Sequence, residues 1–64
     1  MHYYRGIYEN KNGTRVKYVG NKRVLNQTTY YLYFTNMNDR SIFGLTKSGM
    51  KNFLKGYKLV QRSY

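Results

Sequence analysis

Thr28-Thr29-Tyr30-Tyr31-Leu32-Tyr33-Phe34-Thr35 is built almost entirely from β-branched and aromatic side chains, the types that fit a pleated and packed surface. Successive side chains of a strand point to opposite faces, so Tyr30, Leu32 and Phe34 fall on one side and Tyr31 and Tyr33 on the other. Bulk on both faces predicts a central strand, with one face in the core and a second face of tyrosines. Working back from it, Thr14 to Val19 alternates so that Val16 and Tyr18 share one face while Arg15 and Lys17 share the other. Gly20-Asn21 reads as a two-residue turn, followed by Lys22 to Leu25 as a short strand or a frayed continuation. Tyr3 to Tyr8 reads as a first strand, joined to the second through Glu9-Asn10-Lys11-Asn12-Gly13, whose Asn-Gly pair tolerates positive φ. Working forward, Asn36-Met37-Asn38-Asp39 has turn chemistry, and Arg40 to Leu45 returns as a strand.

Met50, Phe53, Leu54 and Tyr57 recur at i, i+3, i+4 and i+7, which puts all four on one stripe of a helix over about residues 47–55. Thr46 is suited to cap its N-terminus, with Leu45 placed to pack on Met50. Gly56 stands where a left-handed C-cap would end it. Gly49 inside the segment costs about 1 kcal/mol relative to Ala, so tertiary packing must hold so short a helix. Lys58 to Arg62 resumes a strand pattern. The order predicts an α+β fold: a small antiparallel sheet of four to five strands with one short helix packed on one face, in a single domain over residues 1–64. The expected core is Val16, Tyr18, Tyr30, Leu32, Phe34, Ile42, Met50, Phe53, Leu54 and Leu59. That inventory is thin for ordering some sixty residues, which makes dimerisation through a sheet edge or the helix a further expectation.

Composition then narrows function. The 64 residues carry 12 Lys+Arg against 2 Asp+Glu, a formal charge of +10, with no cysteine and 19% aromatics that include nine tyrosines. A chain of this length holds one domain, and without cysteine neither disulfides nor thiolate metal sites can supplement its core. So much ring surface sets it apart from a disordered basic tail. No run approaches the ~20 apolar residues of a membrane span, and Met1-His2-Tyr3-Tyr4-Arg5 does not resemble an apolar signal region, which predicts a cytoplasmic protein. Paired-carboxylate chemistry has only Glu9 and Asp39 to draw on, both in expected turns. His2 is the single histidine and reads as an end residue, so neither a triad nor a metal site assembles, and no cofactor is expected. Gly44 and Gly49 lack the companions of a phosphate-cradling loop.

Binding suits these residues better than catalysis. Lys47, Lys51 and Lys55, four apart, form one ridge of the helix opposite Met50, Phe53 and Leu54. Their mutual repulsion, and the position of Lys47 at the positive end of the helix dipole, would both be relieved by an anionic partner. Arg15 and Lys17 on one strand, with Tyr31 and Tyr33 on another, supply charge for phosphates and ring faces for unpaired bases, and Lys22 and Arg23 extend the charge. The expected site is therefore Arg15, Lys17, Lys22, Arg23, Lys47, Lys51 and Lys55 on phosphates, with Tyr31 and Tyr33 stacking on bases. RNA or single strands are favoured over duplex DNA, because only Asn52 on the helix suits base reading. The plain alternatives are a solvated helix face and tyrosines that cover a second layer or a dimer interface. Two functional competitors remain: a protein that binds and inhibits an acidic host protein, and a small RNA-cleaving toxin working through Lys, Arg and Tyr.

Alanine, proline, tryptophan and cysteine are missing while Asn, Lys and Tyr abound, a bias that A+T-rich codons produce. With Met1 leading directly into the fold and turns such as Asn10-Lys11-Asn12-Gly13 and Asn36-Met37-Asn38-Asp39, the chain resembles the small early proteins of Gram-positive bacteriophages. The resemblance covers composition over the whole chain and no motif. It implies a non-enzymatic host-takeover or regulatory protein that acts by binding, in a bacterial or phage-infected cell, and it assigns no residue roles.

Overall fold

In the computed structural model, which describes residues 3–63, the chain forms β1 (Gly6–Asn10), β2 (Arg15–Val24), β3 (Gln27–Phe34), β4 (Phe43–Leu45), α1 (Lys47–Phe53) and β5 (Tyr57–Arg62). His2 lies outside the described residues. One antiparallel sheet runs in the order β4-β3-β2-β1-β5, so the two strands of the central hairpin are interior and β4 and β5 are the edges. The first turn is held by Asn10, whose Oδ1 accepts from the backbone N–H groups of Asn12 at 3.0 Å and Thr14 at 2.9 Å. Asn36 ties the turn after β3 to this one, donating from Nδ2 to the Gly13 carbonyl at 2.9 Å.

Gly20-Asn21 is not a turn. β2 runs through it to Val24, and the ladder with β3 shifts register between Tyr18 and Gly20, leaving Val19 as the extra residue of a β-bulge. Gly20 has φ +148, a backbone conformation that a side chain would resist, so the glycine read as a turn signal serves the bulge instead. The reversal comes at Leu25-Asn26, between the paired residues Val24 and Gln27, and Leu25 takes φ +57. Gly or Asn normally fills that left-handed position, where a bulky residue costs about 1–2 kcal/mol.

Two other strands are shorter than their patterns suggest. β1 starts at Gly6, after Tyr3 to Arg5, and β4 keeps only Phe43 to Leu45 of the expected 40–45. The turn after β3 continues to Ser41, whose N–H and Oγ–H both donate to Asp39 Oδ1, at 3.0 and 2.6 Å. These bonds hold the Asp39 carboxyl below the usual carboxylate range, the hydroxyl contributing more than the backbone. The helix ends at Phe53, two residues before the expected Lys55. Thr46 caps it, its Oγ1 accepting from Gly49 N–H at 3.1 Å, and Gly56 turns the chain away at φ +88.

The buried cluster joins Tyr8, Val16, Tyr18 and Leu32 of the sheet to Met50 and Leu54 at the helix. Tyr30, Phe34, Phe43 and Phe53 pack around it, with the Phe34, Phe43 and Phe53 rings 5.5–6.0 Å apart in a mutual triangle. Ile42 and Leu59 do not belong to the core, being 60% and 37% exposed. Ile42 precedes β4, where Phe43 takes the rung opposite Leu32, so the expected face is off by one residue. Leu59 lies opposite Tyr8 on edge strand β5, whereas α1 contacts β3 and β4 at the other side of the sheet. Tyr8, absent from the expected core, is 7% exposed and donates its hydroxyl to the Tyr4 carbonyl at 2.6 Å. Burial raises the pKa of this phenol above its ordinary value, although the hydrogen bond pulls the other way.

Candidate nucleic-acid interface

Residues directly opposed in an antiparallel ladder share a face, so the register decides which side chains stand together. One face carries Tyr8, Val16, Tyr18, Leu32, Phe34, Phe43 and Leu45, paired as Tyr8 with Val16, Val16 with Phe34, Tyr18 with Leu32, and Leu32 with Phe43. The opposite face is laid out in rungs. Lys58, Glu9 and Arg15 form the first, and Gln61, Ile7, Lys17 and Tyr33 the second. Gly20, Tyr31 and Gly44 form the third, and Lys22 with Thr29 the fourth. The bulge at Val19 is what brings Lys22 onto this face. Unbroken alternation from Arg15 and Lys17 would have put Arg23 there.

Among the sequence-derived candidates, Arg15, Lys17, Lys22, Tyr31 and Tyr33 therefore share one face. Tyr31 and Tyr33 are half-buried, as is Lys17, while Arg15 and Lys22 are exposed. Tyr31 has glycine on both flanks. A Cβ at Gly44 would stand 2.7 Å from Thr29 Cγ2 and 3.4 Å from Tyr31 Cε1, so it is the Thr29 methyl that takes the space of the absent side chain, with the edge of the Tyr31 ring beside it. Arg15 is partly spoken for: its Nε donates to Glu9 Oε2 at 2.9 Å in an exposed ion pair, and Glu9 also stands opposite Lys58. The acidic residue thus lowers the first rung, with Lys58 and Arg15, to a net charge of about one, no more than Lys17 or Lys22 each brings to its own rung.

The remaining candidates are elsewhere. Arg23 pairs with Thr28 on the other side of the hairpin, and Lys47 and Lys51 line a groove of about 690 Å³ with Tyr3, Asn26, Gln27 and Thr28. Lys55 lies beyond the last helical residue, exposed. Arg15, Lys17 and Lys22 thus lie on one side of the β2–β3 hairpin and Arg23, Lys47 and Lys51 on the other, so the expected site residues do not gather on a single face.

Sequence reading did not select Arg5, Arg62 or Tyr4 as site residues. The structure brings them together in a hollow of about 610 Å³ beside the Val19 bulge, with Tyr18 and Asn21 behind them. The Arg62 guanidinium stands 4.2 Å from the centroid of the Tyr4 ring, within cation–π range. Asn21 Nδ2 donates to Tyr18 Oη at 2.7 Å, fixing the wall of the hollow. Only the pairing of β1 with β5 places Arg5 near Arg62, and that pairing joins distant parts of the chain with no local signal. Among the described residues no three His, Cys, Asp or Glu side chains gather to hold a metal ion, and no helix is long and apolar enough to cross a membrane. Comparison with protein families, with curated proteins and with solved structures finds no match to the chain.

Proposed function

We propose that the chain is a non-catalytic nucleic-acid-binding protein that favours RNA or other single strands over duplex DNA and acts as a regulator. The observation that carries the reading is the arrangement on the face formed by Lys17, Tyr33, Tyr31 and Lys22, with Gly20 and Gly44 flanking Tyr31. Tyr31, with glycine opposite it on both neighbouring strands, can receive an unpaired base, worth roughly 1–3 kcal/mol, and Tyr33 offers a second ring beside Lys17, while Lys17 and Lys22 neutralise the phosphates between. The helix serves as the cover of the opposite sheet face and leaves this one to the ligand. A helix of seven residues, with Asn52 as its base-reading side chain, makes a poor major-groove reader, which disfavours duplex DNA. Its composition, close to that of phage early proteins, suits action in the cytoplasm of a bacterial host.

The test is a salt titration of affinity for oligouridine, single-stranded DNA and duplex DNA. Log K should fall with log[salt] by about 0.7 for each phosphate neutralised on the single strands, which should bind more tightly than duplex at equal salt. Equal and weak affinity for all three polyanions would reduce the reading to net charge. The competing acidic-protein reading predicts that a partner captured from lysate survives nuclease treatment, whereas an RNA-dependent association disappears.

A further inference from the structure

The distal β2–β3 hairpin breaks two rules of a stable surface at one residue. Leu25 is 92% exposed, the most exposed large apolar side chain among the described residues, and it occupies a left-handed backbone position. Nothing in the fold requires a leucine there, since it joins neither the core cluster nor the residues packed around it. Gly or Asn would serve the turn with less strain, and a polar residue would serve the surface. A local choice that works against both the turn and solvation is the kind retained for a ligand.

The surroundings say which ligand. The pairs Lys22–Thr29, Arg23–Thr28 and Val24–Gln27 lie past the last rung of β1, which ends opposite Tyr18, and past the last rung of β4, which ends opposite Tyr30. The hairpin therefore runs on as a two-stranded arm about 10 Å past the strands that flank it, at roughly 3.3 Å per residue, with the start of α1 and Tyr3 across a groove from one of its sides. Lys22 stands on the same side as Lys17 and Tyr31, and Arg23 on the side of the groove lined by Lys47 and Lys51. The arm thus has the sheet face of Lys22, Tyr31 and Lys17 on one side and the groove of Lys47 and Lys51 on the other, with an apolar tip between them.

Building on the single-strand reading, we propose that the ligand is a junction where duplex RNA opens into a single strand. Leu25 stacks on the terminal base pair as a wedge, in the way apolar side chains enter base steps elsewhere. The single strand leaves along Lys22, Tyr31 and Lys17, and the complementary strand passes on the side of Arg23, Lys47 and Lys51. Cations on both sides of the hairpin, Lys17 and Lys22 on one and Arg23, Lys47 and Lys51 on the other, are what two diverging strands need.

The test compares a short RNA hairpin bearing an oligouridine tail with the blunt hairpin and with free oligouridine, using the full chain and the variants Leu25→Asn and Lys51→Gln. Asn suits the left-handed position, so Leu25→Asn should melt no lower than the parent. It should lose about tenfold of the preference for the tailed hairpin while keeping its affinity for free oligouridine. Lys51→Gln should weaken the tailed hairpin and spare oligouridine. An unchanged preference in Leu25→Asn, or no preference in the parent, would overturn the wedge while leaving the single-strand reading intact. If Leu25→Asn instead abolished binding to anionic phospholipid vesicles or converted a dimer to a monomer, with RNA preference unchanged, the tip would belong to a membrane or to a second copy. Failure of the parent to bind oligouridine at any salt would remove the underlying reading itself.

Discussion

Below the bulge at Val19, the β2–β3 hairpin sets Val16 and Tyr18 opposite Phe34 and Leu32; above it, the same two strands set Lys22, Arg23 and Val24 opposite Thr29, Thr28 and Gln27. The ladder pairs residues in both halves, yet the lower half is sealed between β1 and β4 and contains side chains with no exposure at all, whereas every β2 residue from Asn21 to Val24 is exposed. Backbone pairing therefore does not distinguish the halves. What differs is the side-chain surface each removes from water, and with it which half carries stability and which is free to carry a ligand.

The largest effect that would sharpen this contrast is on stability. Leu32→Ala should cost about 2–5 kcal/mol, because a fully buried side chain leaves a cavity, while Val24→Ala in the arm should change stability by less than about 0.5 kcal/mol. Thermal melts of the two variants decide it, and equal losses would break the comparison. Next comes Tyr31→Ala, which should weaken oligouridine binding by about 1–3 kcal/mol, with Tyr31→Phe retaining most of the affinity because the ring, not the hydroxyl, stacks. Fluorescence anisotropy with labelled oligouridine measures both.

Tyr8→Phe should cost about 1 kcal/mol, since it removes the hydrogen bond to the Tyr4 carbonyl while keeping the buried ring. It also carries a pH signature. Burial raises the pKa of the folded phenol above the ordinary value of 10.0, so folding holds the proton more tightly than the unfolded chain does. Its contribution is complete below about pH 10 and is lost as pH rises through the higher folded value. Alkaline denaturation should accordingly be shallower in Tyr8→Phe than in the parent, by chemical unfolding at several pH values. Smallest is Lys22→Gln, which should leave melting unchanged and lower the salt slope for single strands by about 0.7, the share of one phosphate.

Much of the lower half was legible in sequence, and the reason is periodicity. Alternation at Val16 and Tyr18, the bulk of Tyr30 to Phe34 and the helical spacing of Met50 and Leu54 each report burial directly, and the structure has a sheet with one short helix. The errors arise where period two is interrupted. A bulge and a turn both use glycine, so Gly20 pointed to a reversal five residues early and Leu25 gave no sign of being the true corner. Ile42 and Phe43 are adjacent apolar residues, and the ladder with Leu32, which chooses between them, is set by long-range pairing. Tyr8 looks like a strand-end tyrosine until its hydroxyl finds the Tyr4 carbonyl.

The candidate site divides along the same line. That Arg15 and Lys17 oppose Val16 and Tyr18 follows from alternation alone, and so does the pairing of Tyr31 with Tyr33. That Lys22 joins them while Arg23 does not depends on one inserted residue at Val19. The separation of the helix lysines from the tyrosines, and the gathering of Arg5 and Arg62 beside the bulge, are products of topology that no local pattern encodes.

The account is tested most directly by mapping backbone and side-chain chemical shifts during titration with oligouridine. It predicts saturable shifts at Lys17, Lys22, Tyr31 and Tyr33, with the ring protons of the two tyrosines moving upfield as bases stack on them. Shifts confined to Lys47, Lys51 and Lys55, or small unsaturating shifts spread over every cation of the surface, would contradict it.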